Sequence, residues 1–135
     1  KPHDEDHILV SLINSQGDIR WVRTYDITPS VDKHDLRQIG NQSFEILTVL
    51  RQKETVLITL DSAGNVTSQR TILTGYSLPK FTSDGGIIAV TSHILKFDSR
   101  YQLEWDTMIK EEIKWGVKAI AQTRDGGYLL VGMSE

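Results

Sequence analysis

"AIAQTRDGGYLLVGMS" (Ala119–Ser134) reads as a short strand, an Asp-Gly-Gly turn and a more apolar strand. "PKFTSDGGIIAVTS" (Pro79–Ser92) matches it closely, and the two Gly-Gly pairs, Gly85-Gly86 and Gly126-Gly127, lie 41 residues apart. The turn chemistry is mechanical. Asp84 and Asp125 cap it through their side chains, and glycine takes the positive φ that a Cβ resists. "LRQIGNQSFEILTVL" (Leu36–Leu50) is a degenerate copy in which Asn41-Gln42-Ser43 replaces Asp-Gly-Gly. Strand-based periods of this size point to a repeat architecture of the propeller kind.

A second hairpin type is interleaved with the first. "HILVSL" (His7–Leu12) and "IRWVRTY" (Ile19–Tyr25) flank a turn in which Gly17 supplies a positive φ. "ETVLITLDSAGNVTSQRTI" (Glu54–Ile72) repeats the design around Gly64. "HILKFDSRYQLEWDTMI" (His93–Ile109) repeats it again, with Tyr101 where the glycine stood, so a different turn is expected there. Aligning the three turns puts Trp21, Ser68 and Trp105 in register, and the two tryptophans are 84 residues apart. If the strands of a unit are called A to D, the chain order is C-D, A-B-C-D, A-B-C-D, A-B. That makes twelve strands. The B and C strands are the most apolar, as strands packed on both faces must be. "DTMIKEEIKWGVKAI" (Asp106–Ile120) has some helical spacing, but its place between a D and an A strand predicts a loop.

These motifs resemble a bacterial β-propeller repeat family. "NSQGDIRW" (Asn14–Trp21), "LDSAGNV" (Leu60–Val66) and "FDSRYQLEW" (Phe97–Trp105) are similar to its L-D-x-x-G-N-x-x-W half. The Asp-Gly-Gly segments are similar to its T-x-D-G-G-Y half. The resemblance spans residues 7–134 and implies an all-β propeller of four-stranded antiparallel blades, with three blade equivalents in this chain: half a propeller, or a fragment of one. The parts would be a polar extension (1–6), a C-D hairpin (7–27), blades at 35–72 and 76–109, and an A-B hairpin (116–134). It also implies a secreted, periplasmic or cell-surface bacterial protein that binds or scaffolds and is not an enzyme. The quinone-type propeller repeat is a structural cousin, but its Thr-Gly step is absent at all three turns, so no cofactor is expected.

Propellers typically close with about four to eight blades, and a bare sheet edge is a liability. The terminal half-blades are therefore expected to be completed, either by a second copy in a two-fold ring or by blades in further sequence. The partner would be the chain itself or another propeller segment, with a protein or glycan as ligand.

Bulk properties narrow the remaining classes. The 135 residues are 39% hydrophobic and 24% charged, as in an ordinary globular domain. The net charge of −3, with both signs interspersed, lacks the concentrated basic face that nucleic-acid binding requires. No apolar run approaches the roughly 20 residues of a spanning helix, so membrane insertion is not expected. The absence of cysteine excludes disulfides, thiolate catalysis and cysteine metal sites.

Candidate sites are modest. His3, Asp4, Asp6 and His7 combine imidazoles and carboxylates that suit a divalent ion, although the same residues suit a solvated terminus. Trp115 is out of register with the other tryptophans, and with Lys114 and Lys118 it forms the candidate ligand surface. Tyr76 and Tyr101 are weaker candidates of that kind. No Gly-x-Ser-x-Gly elbow, phosphate loop, His-Glu-x-x-His or dinucleotide fingerprint occurs. Carboxylate pairs from separate blades still leave open an enzyme fragment acting on glycans, a hydrolase or lyase. A third class is a purely structural, self-assembling repeat.

Overall fold

The computed structural model describes residues 7–41, 43–50, 54–109 and 116–133, with the backbone alone for 30–33. The described residues form twelve strands: β1 (Ile8–Ile13), β2 (Ile19–Tyr25), β3 (Pro29–Ile39), β4 (Ser43–Leu50), β5 (Glu54–Asp61), β6 (Val66–Thr74), β7 (Leu78–Phe81), β8 (Ile87–Val90), β9 (His93–Phe97), β10 (Leu103–Met108), β11 (Val117–Gln122) and β12 (Tyr128–Gly132). All pair antiparallel, in four sheets ordered β1-β2, β3-β4-β5-β6, β7-β8-β9-β10 and β11-β12. No helix occurs among the described residues. Among the described residues the sheets form an open series and do not close into a barrel or ring. β3 begins at Pro29, ahead of the unit expected from residue 35.

The sheets stack face to face in chain order, and the sequence shows why. β4 carries an unbroken buried run over Ile46–Val49, and all four residues of β8 are buried. Successive residues of a strand point to opposite faces, so each central strand feeds two cores. Ile46, Val56, Ile58 and Leu60 pack with Ile8, Val10, Trp21 and Tyr25 of the first sheet. Leu47 and Leu57, on the other face, pack with Ile87, Ala89 and Phe97 of the third sheet. Ile88 and Val90 in turn meet Val117, Ile120, Tyr128 and Leu130 of the fourth. Each fully buried aliphatic side chain contributes roughly 1.5–3 kcal/mol. The outer strands β6 and β10 are largely exposed; β6 is mostly polar, as an edge strand should be, whereas β10 also exposes Leu103, Trp105 and Met108.

The three C-D turns are one structure. In each, the first residue of the turn exchanges two backbone hydrogen bonds with the residues three and four positions later: Asn14 with Gly17 and Asp18, Asp61 with Gly64 and Asn65, Asp98 with Tyr101 and Gln102. The carboxylates of Asp61 and Asp98 and the amide oxygen of Asn14 accept from the turn's own N–H groups. The expectation of a different third turn is therefore corrected. Tyr101 occupies the left-handed region at φ 64°, where the other two turns have Gly17 at 91° and Gly64 at 87°. That conformation costs a side chain about 1–2 kcal/mol. Contacts of the ring offset it, as described below.

Candidate functional site

The two glycines of each Asp-Gly-Gly turn act differently. Gly85 and Gly126 hold positive φ, at 88° and 87°. Gly86 does not; it is required by space. A Cβ there would lie 2.1 Å from the Phe97 carbonyl oxygen and 2.8 Å from Lys96 Nζ. Gly127 occupies the same place in the last hairpin, but a Cβ on it would meet only Thr123 Oγ1 (3.0 Å) and Asp125 Oδ1 (3.3 Å), atoms of its own turn. Among the described residues, the C strand that crowds Gly86 has no counterpart beside β12.

Polar groups brace the third sheet internally. Asp84 accepts from the Thr82 hydroxyl (2.5 Å), the Gly86 N–H (3.0 Å) and Lys96 Nζ (2.9 Å). The Thr82 hydrogen bond, followed by the Lys96 ammonium, lowers the Asp84 carboxyl to about 2. Lys96 is buried, and its ammonium also donates to the Phe97 carbonyl (2.7 Å) and lies 3.6 Å from Glu104. The same turn chemistry recurs between Thr123 and Asp125, whose carboxyl is also lowered.

The junction of the second and third sheets carries a buried ion network. Glu45 is 4% exposed and receives Nε and Nη2 of Arg37, both at 2.7 Å from Oε1. Its Oε2 accepts from the Tyr101 hydroxyl (3.2 Å) across the sheets. The Arg37 guanidinium stacks on Phe81 (4.2 Å), and Arg70 stacks on Tyr101 (4.9 Å). Burial, and then the Glu45 charge, raise the Tyr101 hydroxyl above its usual range. These contacts lock Tyr101 into its strained turn.

Trp21 and Trp105 lie between sheets. Trp21 donates its indole N–H to the Ser62 carbonyl (3.0 Å) in the next sheet's C-D turn and meets Phe44 edge-on (6.4 Å). Trp105 meets Tyr128 at 6.1 Å. Phe44 and Tyr128 hold the same register position, the first inward-facing residue of a B strand, so the third–fourth junction repeats the first–second.

Of the expected ligand residues, Lys114 and Trp115 lie outside the described residues, as do His3, Asp4 and Asp6. His7 is exposed and 3.7 Å from the exposed Asp26. Among the described residues, no three histidine or carboxylate side chains converge as a metal site. Tyr76 precedes β7, and Lys118 lies near the start of β11. Tyr101 sits at the opposite end of the third sheet, because Leu78 pairs with Val90 while Phe97 pairs with Ile87 and Leu103. The structure therefore separates Tyr101 from Tyr76.

What it brings together is an apolar groove of about 280 Å³ beside the free edge of β1, lined among others by Val10, Leu12, Trp21, Leu36, Phe44 and Ile46. Leu36 is 72% exposed there. At the other end of the series, Leu129 (62%) and Val131 (56%) stand exposed on the outer face of β12. Across the pair from them are Ala121 and Ala119. Sequence reading missed the groove because it depends on which neighbour is absent from a sheet. It also passed over Glu45 and Lys96, whose signal was a charge inside an apolar run, "SFEILTVL" (Ser43–Leu50) and "HILKF" (His93–Phe97).

Comparison with protein-family models, with curated proteins and with solved structures finds no match.

Proposed function

We propose that the chain is a propeller segment that serves as a non-enzymatic module for binding or scaffolding a protein or glycan. Its terminal half-blades are completed by strands of another propeller segment. The observation that carries this reading is the serial stacking of two-, four-, four- and two-stranded sheets, with each central sheet packed on both faces. In a propeller that packing continues around the ring, and the ends meet in one shared sheet. The charged groups at the sheet junctions support the reading too: Arg37, Glu45, Asp84 and Lys96 are engaged with one another and with turns. By the same resemblance, the setting is extracytoplasmic and bacterial.

The test is a glycan and peptide array read for retention, run beside a polysaccharide panel read for cleavage. Retention without cleavage supports the reading. Cleavage would replace it with the enzyme-fragment alternative, and neither retention nor cleavage would leave the purely structural repeat.

A further inference from the structure

The inference rests on the propeller reading and names the partner. We infer that the completing segment is a second copy of this chain, and that the β12 of one copy pairs antiparallel with the β1 of the other in a fixed register, Leu129 opposite Leu12. Two such junctions would close two copies into a ring of six four-stranded blades, within the usual propeller range.

The register follows from the complete third sheet. Its turn residues Asp84 and Asp98 correspond to Asp125 and Asn14 of the terminal hairpins. In that sheet β8 and β9 pair Ile87 with Phe97, Ile88 with Lys96, Ala89 with Leu95 and Val90 with Ile94. Carried to the terminal strands, the ladder becomes Tyr128–Ile13, Leu129–Leu12, Leu130–Ser11 and Val131–Val10. A one-residue slip would turn every side chain to the wrong face, so the faces check the register. They agree. Tyr128 and Leu130 already pack inward on the third sheet, as Ile87 and Ala89 pack on the second. Val10 already packs toward its own second sheet, as Val90 packs toward the fourth.

Four further features fit this occupant. Leu129 and Val131, on the outer face of β12, would enter the groove beside the partner's β1 and cover Leu36, Phe44 and Ile46. Leu9 (63% exposed) and Val22 (45%), on the outer face of the first sheet, would be covered by the partner's third sheet. Gly127 would sit against the Ile13 carbonyl of the partner, as Gly86 sits against that of Phe97. Trp105 would reach the partner's Ser15 carbonyl, as Trp21 reaches Ser62.

The chain has no cysteine, so the register can be read by cross-linking. Directly opposed residues of adjacent strands are within disulfide reach. The variant carrying Leu12→Cys and Leu129→Cys should oxidise to a species of twice the chain mass, and the opposite-face control Ser11→Cys with Leu129→Cys should not. Where the double variant folds poorly, an equimolar mixture of the two single variants serves, since the link is between copies. Equal linking of test and control would overturn the register. A ladder of larger species would overturn two-copy closure, and no linking with a monomeric mass would overturn the partner. The last result leaves the propeller reading standing, because blades elsewhere in a longer protein would then complete the ends.

Discussion

Replacing Gly86 by alanine separates steric from conformational reasons for a glycine. Gly86 does not have the positive φ of Gly85. By backbone entropy alone, alanine at such a site would stabilise the protein by about 0.4–1 kcal/mol. The structure predicts the opposite sign. The added Cβ would lie 2.1 Å from the Phe97 carbonyl oxygen, over 1 Å inside normal contact. That oxygen belongs to the β8–β9 ladder and accepts from the buried Lys96 ammonium at 2.7 Å, so it cannot swing aside freely. Overpacking typically costs about 1–3 kcal/mol. A fixed backbone obstacle puts this case at the top of that range, about 3 kcal/mol. For a chain of this size that is a fall in Tm of about 10 °C. Urea and thermal unfolding of wild type and Gly86→Ala measure it. An unchanged or raised Tm would refute the close approach of the turn to β9.

Glu45→Ala should cost about 3 kcal/mol in urea unfolding, since it strands the Arg37 guanidinium at the sheet junction. The double change Arg37→Met with Glu45→Leu should recover most of that loss, and equal losses for both variants would contradict the account. Tyr101→Phe removes only the hydroxyl that donates to Glu45 and should cost about 1 kcal/mol. Acid stability should depend on Asp84. Its folded-state value, about 2, lies below the ordinary carboxylate value of 3.8, so its contribution is present above about pH 4 and is lost as pH falls toward 2. The side chain is 52% exposed, so after screening the effect is about 1 kcal/mol. Asp84→Asn should flatten that part of the pH–stability profile, and an unchanged acid slope would count against the Asp84–Lys96 pairing.

Much of the strand plan was legible because it rests on local chemistry. Gly17 and Gly64 mark φ-positive turns directly, and the apolar runs Ile87–Val90 and Phe44–Leu50 announce strands buried on both faces. What escaped was what depends on neighbours. Tyr101 adopts the glycine conformation because Glu45, Arg37 and Arg70 hold its ring, and those residues lie far away in the chain. The second glycine of the Asp-Gly-Gly turn reads as turn mechanics until Phe97 is seen against it. Leu36 and Leu129 read as ordinary strand residues, and only the packing of the sheets shows that both stand exposed, Leu36 in the groove beside β1. Lys114 and Trp115, from the ligand surface expected beside Lys118, fall outside the described residues.

The central claim is that the two terminal hairpins are halves of one sheet shared between copies. Sedimentation equilibrium of the full chain over roughly a hundredfold dilution tests it most directly. The account predicts a single species of twice the 15.3 kDa chain mass at the upper concentrations, with no larger assemblies. A mass of 15.3 kDa throughout the series would contradict it.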